Sequence, residues 1–166
     1  MRKFMIGVVA TLATSSVMAV PVVLSLLTDN FAGETSFEMV VSGGGSNIAF
    51  DSFTGTEAFA GSLTDGIADQ GDLVSATAYT FTWDLGPGDY EFTIFDSFGD
   101  GICCGFGLGN YSLDVDGTVY ASDGVFEDQQ STEFSVAEAS VPEPGTLMLL
   151  GLGLTGLALS RRRRRA

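Results

Sequence analysis

The fold of this chain is decided by the 19 residues that run from Thr77 to Phe95 and read TAYTFTWDLGPGDYEFTIF. Bulky side chains alternate with smaller or polar ones in its first part, and the same period of two resumes at Tyr90. This period is typical of strands that bury one face. Gly86-Pro87-Gly88-Asp89 separates the two runs with residues that favour a turn. The stretch therefore predicts two successive strands joined by a turn.

Similar alternation on both sides predicts further strands. They are centred on Phe37, Met39 and Val41; on Ile48 and Phe50; on Tyr111, Leu113 and Val115; on Thr118, Val119 and Tyr120; and on Phe134 and Val136. Asp116-Gly117 is a favoured two-residue hairpin turn, and residues 43–46 and 55–71 are predicted loops. No stretch of the body predicts a helix. Seven or eight short strands with polar turns predict an all-β fold, a small antiparallel β-sandwich of jelly-roll-like form.

Charged residues are distributed very unevenly along the chain. All seven basic residues lie at its ends, 20 of the 21 acidic residues lie between Ala19 and Pro142, and histidine is absent. A body without basic side chains cannot neutralise phosphates, which excludes nucleic-acid binding. It also has no imidazole base, no Schiff-base lysine and no arginine clamp. The body is therefore predicted not to be an enzyme.

The N-terminus has the order of a secretory signal. Arg2 and Lys3 are followed by a mostly apolar run from Phe4 to Ala13, and Val17-Met18-Ala19 precedes a cleavage site after Ala19. This pattern predicts a signal peptide, with its signal helix, over residues 1–19. Because residues 20–27 are also apolar, a cut at another position stays open.

The C-terminal residues 141–166 have three parts. Pro142 and Pro144 interrupt regular structure, residues 146–160 carry no charge, and the last part is a run of arginines, Arg161, Arg162, Arg163, Arg164 and Arg165. A helix of the 15 residues 146–160 is about 22 Å long, short of the roughly 30 Å hydrocarbon core. The arginines hold their end in the cytoplasm. The pattern predicts a short transmembrane helix that anchors the chain transiently in the inner membrane.

This tail resembles the PEP-CTERM sorting signal of exported bacterial proteins, through Pro142-Glu143-Pro144, the Gly/Leu-rich stretch and the terminal arginines in that order. The resemblance implies cleavage near the Pro-Glu-Pro element by an exosortase-type membrane protease or transpeptidase. It also implies export through the inner membrane and delivery to the cell surface or an extracellular matrix. The same tail is found on some ice-binding proteins. The alternative, a plain membrane anchor, needs neither the prolines nor so short a span.

One segment of the body, residues 96–111, has the composition of a ligand-binding loop. Asp96 and Asp100 lie among glycines, which permit left-handed backbone, and carboxylates folded round one point suit Ca²⁺. The segment also resembles the D-S-x-G-D-G-I-C-C-x-x-G-x-G-x-Y loop of secreted β-sandwich modules. That resemblance implies that the two aspartates bind an ion or order the loop. The alternative is a glycine-rich turn held by Asx hydrogen bonds without an ion.

Cys103 and Cys104 are the only cysteines and are adjacent. Export favours oxidation, and the absence of another partner in the chain favours a vicinal disulfide. Such a bond closes almost no loop, so its effect is to stiffen one turn. A reduced pair, intermolecular pairing and a redox role are the alternatives.

The chain is thus predicted to consist of a signal peptide (1–19), a β-sandwich domain (20–140) and a sorting tail (141–166). The leading hypothesis is an exported acidic structural or interaction module, with an exosortase and an extracellular polysaccharide or surface matrix as partners. One alternative is a small carbohydrate- or ice-binding module, which a flat exposed face of threonines or aromatics would favour. The other is a glycoside hydrolase, which needs two carboxylates about 5–10 Å apart in a cleft.

Overall fold

The computed structural model describes residues 18–55, 57–62, 65–138 and 150–154. Within these residues nine strands form two antiparallel sheets. The strands are β1 (Val20–Leu27), β2 (Thr35–Val41), β3 (Ser52–Gly55), β4 (Ile67–Ala68), β5 (Ala78–Leu85), β6 (Gly88–Asp96), β7 (Asn110–Val115), β8 (Thr118–Asp123) and β9 (Gln129–Val136). The five-stranded sheet has the order β3-β5-β1-β7-β8, and the four-stranded sheet the order β4-β2-β6-β9. The predicted all-β antiparallel sandwich is confirmed, although these nine strands exceed the eight of a jelly roll.

The core lies between the inner faces of the two sheets. Phe37 of β2 meets Phe81 of β5 at a ring-centroid distance of 4.8 Å, and Phe92 of β6 meets Tyr111 of β7 at 5.8 Å. Each of these pairs joins one sheet to the other. The largest fully buried side chains are Trp83, Tyr111, Phe37, Phe81, Phe92, Leu24, Leu26, Met39, Ile94, Ile102, Leu113 and Val22. Burying such a side chain contributes about 1.5–3 kcal/mol, so this aromatic layer holds the sheets together.

The first strand among the described residues is Val20–Leu27, which the alternation did not predict. The strand predicted at Phe37, Met39 and Val41 is present as β2 and is therefore the second strand rather than the first. β1 lies in the middle of its sheet, between β5 and β7. Val22, Leu24 and Leu26 point inward and are at most 2 % exposed, whereas Ser25 is exposed. Side-chain exposure therefore alternates along the apolar run after Ala19, because the run is a central strand with one face toward the core.

The predicted strand at Ile48 and Phe50 is also misplaced, since the strand in this region is β3, Ser52–Gly55. Phe50 is 5 % exposed and contacts Phe81 and Trp83 from a non-strand segment. Ser52 and the three residues after it pair with β5. Phe50 is apolar because its ring is buried in the core, and not because it belongs to a strand.

The predicted turns are found where the sequence places them. Asp116 and Gly117 have positive φ angles of 52° and 79°, as a two-residue hairpin requires, and they join the paired strands β7 and β8. The turn at residues 86–87 instead carries the chain from one sheet to the other, because β5 and β6 belong to different sheets.

Two short elements add to this frame. The predicted loop 55–71 contains β4, a two-residue strand beside β2. A single 3-10 turn, Ala32–Glu34, leads into β2.

The chain ends are described only in small part. Residues 150–154 are helical, and among the described residues no helix is both long enough and apolar enough to cross a membrane. Most of the predicted signal peptide (1–17), the sorting motif Pro142, Glu143 and Pro144, the rest of the predicted membrane helix 146–160, and the arginines 161–165 lie outside the described residues.

Candidate functional site

The candidate site forms where β6 ends and the loop of residues 97–109 begins. Thr35, the first residue of β2, pairs with Asp96, the last residue of β6. The antiparallel register continues one step further, because the Ser97 N–H donates to the Glu34 carbonyl oxygen at 3.1 Å. Strand pairing therefore places the end of the 3-10 turn directly beside the start of the loop.

Three carboxylates meet at this point. Glu34, Asp96 and Asp100 each offer an oxygen, and these oxygens lie within 4.8 Å of one another. Asp100 is exposed and Glu34 is half-buried, whereas Asp96 is 3 % exposed. We call these three residues the carboxylate triad.

Asp96 uses its two side-chain oxygens differently. Oδ1 accepts a hydrogen bond from the Phe98 N–H at 2.9 Å, which is the Asx hydrogen bond of the ion-free alternative. Oδ2 is buried and has no hydrogen-bond partner. A buried carboxylate oxygen without a partner is costly. The Asx turn thus gives Oδ1 of Asp96 a hydrogen-bond donor and leaves Oδ2 without one.

Partial removal from water and crowding of like charges raise the pKa values of two members of the triad, Glu34 and Asp100. Partial removal from water, followed by the neighbouring Asp96 carboxylate, raises the pKa of Glu34. For Asp100 the pKa is raised by partial removal from water and then by the adjacent Asp96 side chain and its charge. Asp29 adds a smaller repulsion to both. Because residues 18–138 contain no Lys, Arg or His, no side chain of this part can neutralise the triad.

Glycine and one apolar anchor shape the loop. Gly99 and Gly101 have φ angles of 79° and 70°, and a Cβ on Gly101 would lie 2.6 Å from the Phe126 carbonyl oxygen. Ile102 is 1 % exposed and donates its N–H to the Gly124 carbonyl oxygen at 3.0 Å. The loop is therefore tied at its centre to the segment between β8 and β9.

The tip of the loop contains a disulfide between adjacent cysteines and carries exposed apolar side chains. Cys103 is joined to Cys104, and Cys103 forms an isolated bridge with Leu108. Phe106 contacts Phe31 edge to face, with ring centroids 5.2 Å apart. Phe98, Phe106 and Leu108 are 79 %, 54 % and 76 % exposed.

The structure brings the two predicted aspartates together and adds a residue that the sequence did not reveal. Glu34 stands 62 positions before Asp96, and no spacing rule connects them. The one available signal, an acidic residue just before the β2 alternation, carries no information about the residue that it meets in the fold. Only the register of β2 against β6 identifies it.

A second surface feature lies on the outer face of the five-stranded sheet. Five hydroxyl residues stand in register, one on each strand, and we call them the hydroxyl row: Thr54, Thr80, Ser25, Ser112 and Ser122. Next to it the Ser52 and Thr82 hydroxyls lie 2.6 Å apart. Side chains on this face are half-buried or exposed.

Two carboxylates also line a surface cavity of about 400 Å³, formed by Ser42, Asp89, Glu133, Phe134 and Ser135. Asp89 accepts a hydrogen bond from the Ser135 hydroxyl at 2.6 Å. The lining contains one aromatic residue, so this cavity does not have the aromatic-lined form expected for a glycoside hydrolase.

The fold and these surfaces define an acidic β-sandwich with a terminal sorting tail. The tail matches the PEP-CTERM protein-sorting motif over residues 140–165, and the prediction of this signal is confirmed. The match implies export and C-terminal processing by an exosortase, which is a membrane enzyme. No curated protein and no solved structure matches the chain. The resemblance of residues 96–111 to loops of secreted modules stays a prediction.

Proposed function

We propose that this chain is an exported structural or interaction module, sorted by its tail and left as an acidic β-sandwich at the cell surface or in an extracellular matrix. The observation that carries the proposal is the sorting motif at residues 140–165. A signal-like start and a β-sandwich that begins at Val20, directly after the predicted cleavage site, support the same route.

The composition of the sandwich supports a role without catalysis. Residues 18–138 contain no histidine, lysine or arginine, so proton transfer near neutral pH would depend on carboxylates, and no cationic side chain of this part is available to bind an anion. An acidic surface keeps an exported protein soluble and gathers cations. The exposed Phe98, Phe106 and Leu108 at the loop tip offer an apolar contact surface for a partner.

The sorting proposal is tested by fractionating cells that produce tagged full-length chain or a form lacking residues 141–166. The full-length chain is expected in the surface fraction with its C-terminus shortened, and the deleted form unprocessed in the periplasm or medium. Glu143→Gln, inside the motif, is expected to reduce processing, whereas Glu138→Gln, just before it, leaves processing intact. Identical fractionation of full-length and deleted forms would refute the proposal.

The hydroxyl row favours a second candidate function, binding of a neutral extracellular polysaccharide. Neighbouring strands lie about 4.8 Å apart, so the row offers hydroxyl groups at regular steps across five strands. Sheets twist by about 20–25° per strand. A twisted row suits a flexible sugar chain better than the flat lattice of ice, so we favour the polysaccharide.

Binding of purified chain to insoluble polysaccharides tests this second candidate. Thr80→Val is expected to weaken binding several-fold, whereas Ser131→Ala, on the outer face of the other sheet, should not. If the polysaccharide retained both variants equally, the hydroxyl row would be excluded as its binding site. Ice shaping by the wild-type chain would instead support the ice-binding alternative and contradict the polysaccharide.

A further inference from the structure

We propose that Glu34, Asp96 and Asp100 form a binding site for one hard divalent cation, with Ca²⁺ as the favoured ion. The inference goes beyond the sorting function and does not depend on it. It names a third ligand, Glu34, which comes from the 3-10 turn rather than from the glycine-rich loop.

The spacing of the three carboxylates suits one ion. Calcium binds oxygen ligands at 2.3–2.6 Å, so two ligands of one ion lie at most about 5 Å apart. The triad oxygens lie within 4.8 Å of one another. Three carboxylates supply between three and six of the six to eight oxygens that calcium takes, and water or backbone carbonyls supply the rest.

Burial provides a second and independent observation. Asp96 is 3 % exposed, and its Oδ2 has no hydrogen-bond partner although Oδ1 is satisfied by Phe98. An exposed acidic cluster can stay hydrated, but Asp96 Oδ2, a buried oxygen of a residue in this cluster, has lost its water. A bound cation would satisfy this oxygen and neutralise its neighbours together.

Residues 18–138 offer no internal substitute for such an ion. A structural carboxylate cluster is normally paired with Lys, Arg or His, and residues 18–138 contain none of these. Asp29, which is 6 % exposed, adds further negative charge nearby. A cation from solution can supply the counter-charge, and the ligand set, entirely oxygen, selects a hard cation rather than zinc or copper.

The position of the site determines what a bound ion would do to the fold. Its ligands belong to the turn before β2 and to the loop after β6, so a bound ion would fasten that loop to the sandwich. Extracellular modules bind calcium with Kd values of about 0.1–1 mM. A site of that affinity would remain empty in the cytoplasm and fill after export.

Calcium titration of the purified full-length chain, after treatment with a chelator, tests the proposal. Isothermal titration calorimetry is expected to show one site, and calcium should raise Tm. Glu34→Gln and Asp100→Asn should each weaken binding at least about tenfold, in line with the dependence of affinity on ligand charge. Asp84→Asn, an exposed carboxylate of β5 in the other sheet, is the matched control and should bind as the wild type does.

Two results would overturn the site. The first is absence of calcium binding to the folded wild-type chain. The second is an equal Tm increase in wild type, Glu34→Gln and Asp84→Asn, which would indicate general screening of the acidic surface. Asp96→Asn removes a buried charge and can alter folding, so the exposed or half-buried ligands Asp100 and Glu34 carry the test. Magnesium at the same concentration should have a smaller effect, because it demands a more rigid octahedral shell.

Discussion

At the scale of single residues, the surroundings of the carboxylates shift their pKa values in two opposite directions. The Asp123 carboxylate accepts hydrogen bonds from the N–H groups of Gly124 and Val125, at 2.7 and 2.8 Å. These donors, Val125 first, lower the pKa of Asp123. Glu34 and Asp100, in contrast, face other carboxylates, and their pKa values are raised. Asp123 therefore stabilises the fold as an anion, whereas the negative charges of the triad repel one another.

The sign of the Asp123 contribution follows from its lowered pKa. Stability from this group is present above its unfolded value of 3.8 and is lost as pH falls through the lower, folded value. Asp123→Asn should therefore reduce the free energy of unfolding at pH 7 by up to about 1 kcal/mol. The difference from wild type should shrink when the pH is brought below 3.8. Urea denaturation at both pH values measures this, and a gap that widens in acid would contradict it.

The cysteine pair gives a second prediction at this scale. Mass spectrometry of the non-reduced chain should show a peptide containing Cys103 and Cys104 whose mass is lower by two hydrogen atoms than that of the dithiol form. The double variant Cys103→Ser/Cys104→Ser should change Tm little, because a bond between neighbours removes little chain entropy. Gly101→Ala is the contrast, and should lose about 1–3 kcal/mol, since its φ is 70° and its Cβ would meet the Phe126 carbonyl. Labelling of both thiols in the exported protein would argue against the bond.

The residues that sequence could and could not reveal differ in how they are brought together. Asp96, Asp100 and the cysteines lie within one glycine-rich segment, so composition alone marked them. Glu34 reaches the same point only because Thr35 pairs with Asp96. Such a non-local register depends on how all the neighbouring strands align, and a local pattern carries no information about it.

At the scale of elements, β1 shows how a predicted signal peptide can obscure the strand that follows it. Apolar residues continue from the predicted signal peptide into residues 20–27, so the sequence offered no break in composition. The structure separates them by contact, because β1 pairs with β5 on one side and with β7 on the other. In residues 77–95, by contrast, the turn residues Gly86-Pro87-Gly88-Asp89 separate the two alternating runs and mark where the first strand ends. Strand assignment from period two therefore succeeded where turns punctuated it.

Substitutions in β1 test whether it belongs to the folded domain. Leu24 is 0 % exposed in the central strand, so Leu24→Ala should lower the free energy of unfolding by about 2–5 kcal/mol. Ser25→Ala, the next residue on the outer face, should change it by less than about 0.5 kcal/mol. Urea denaturation of the purified chain compares the two. Equal, small effects would mean that residues 20–27 belong to the leader and not to the sandwich.

At the scale of the whole molecule, negative charge is the dominant property. The region between Ala19 and Pro142 has 20 acidic residues and no basic residue. Repulsion reaches into the strand pairing itself, because Glu91 of β6 stands opposite Glu133 of β9, and like charges across a sheet are destabilising. The sandwich is held by its aromatic core against this repulsion. Its stability should therefore depend on the ions around it, as suits a protein that meets salt and divalent cations after export.

Ionic strength provides the test at this scale. Raising NaCl from about 10 to 100 mM shortens the screening length from about 30 to 10 Å, so the Tm of the chelator-treated chain should rise. Glu133→Gln removes one partner of the opposed pair and should raise the free energy of unfolding by about 0.2–1 kcal/mol at low salt. That advantage should fade at high salt, because screening weakens the repulsion that the substitution removes. Ser131→Ala, two residues earlier on the same face of β9 and uncharged, should show no salt-dependent difference from wild type. A Tm that does not change with NaCl would show that repulsion within the acidic surface has no measurable effect on folding.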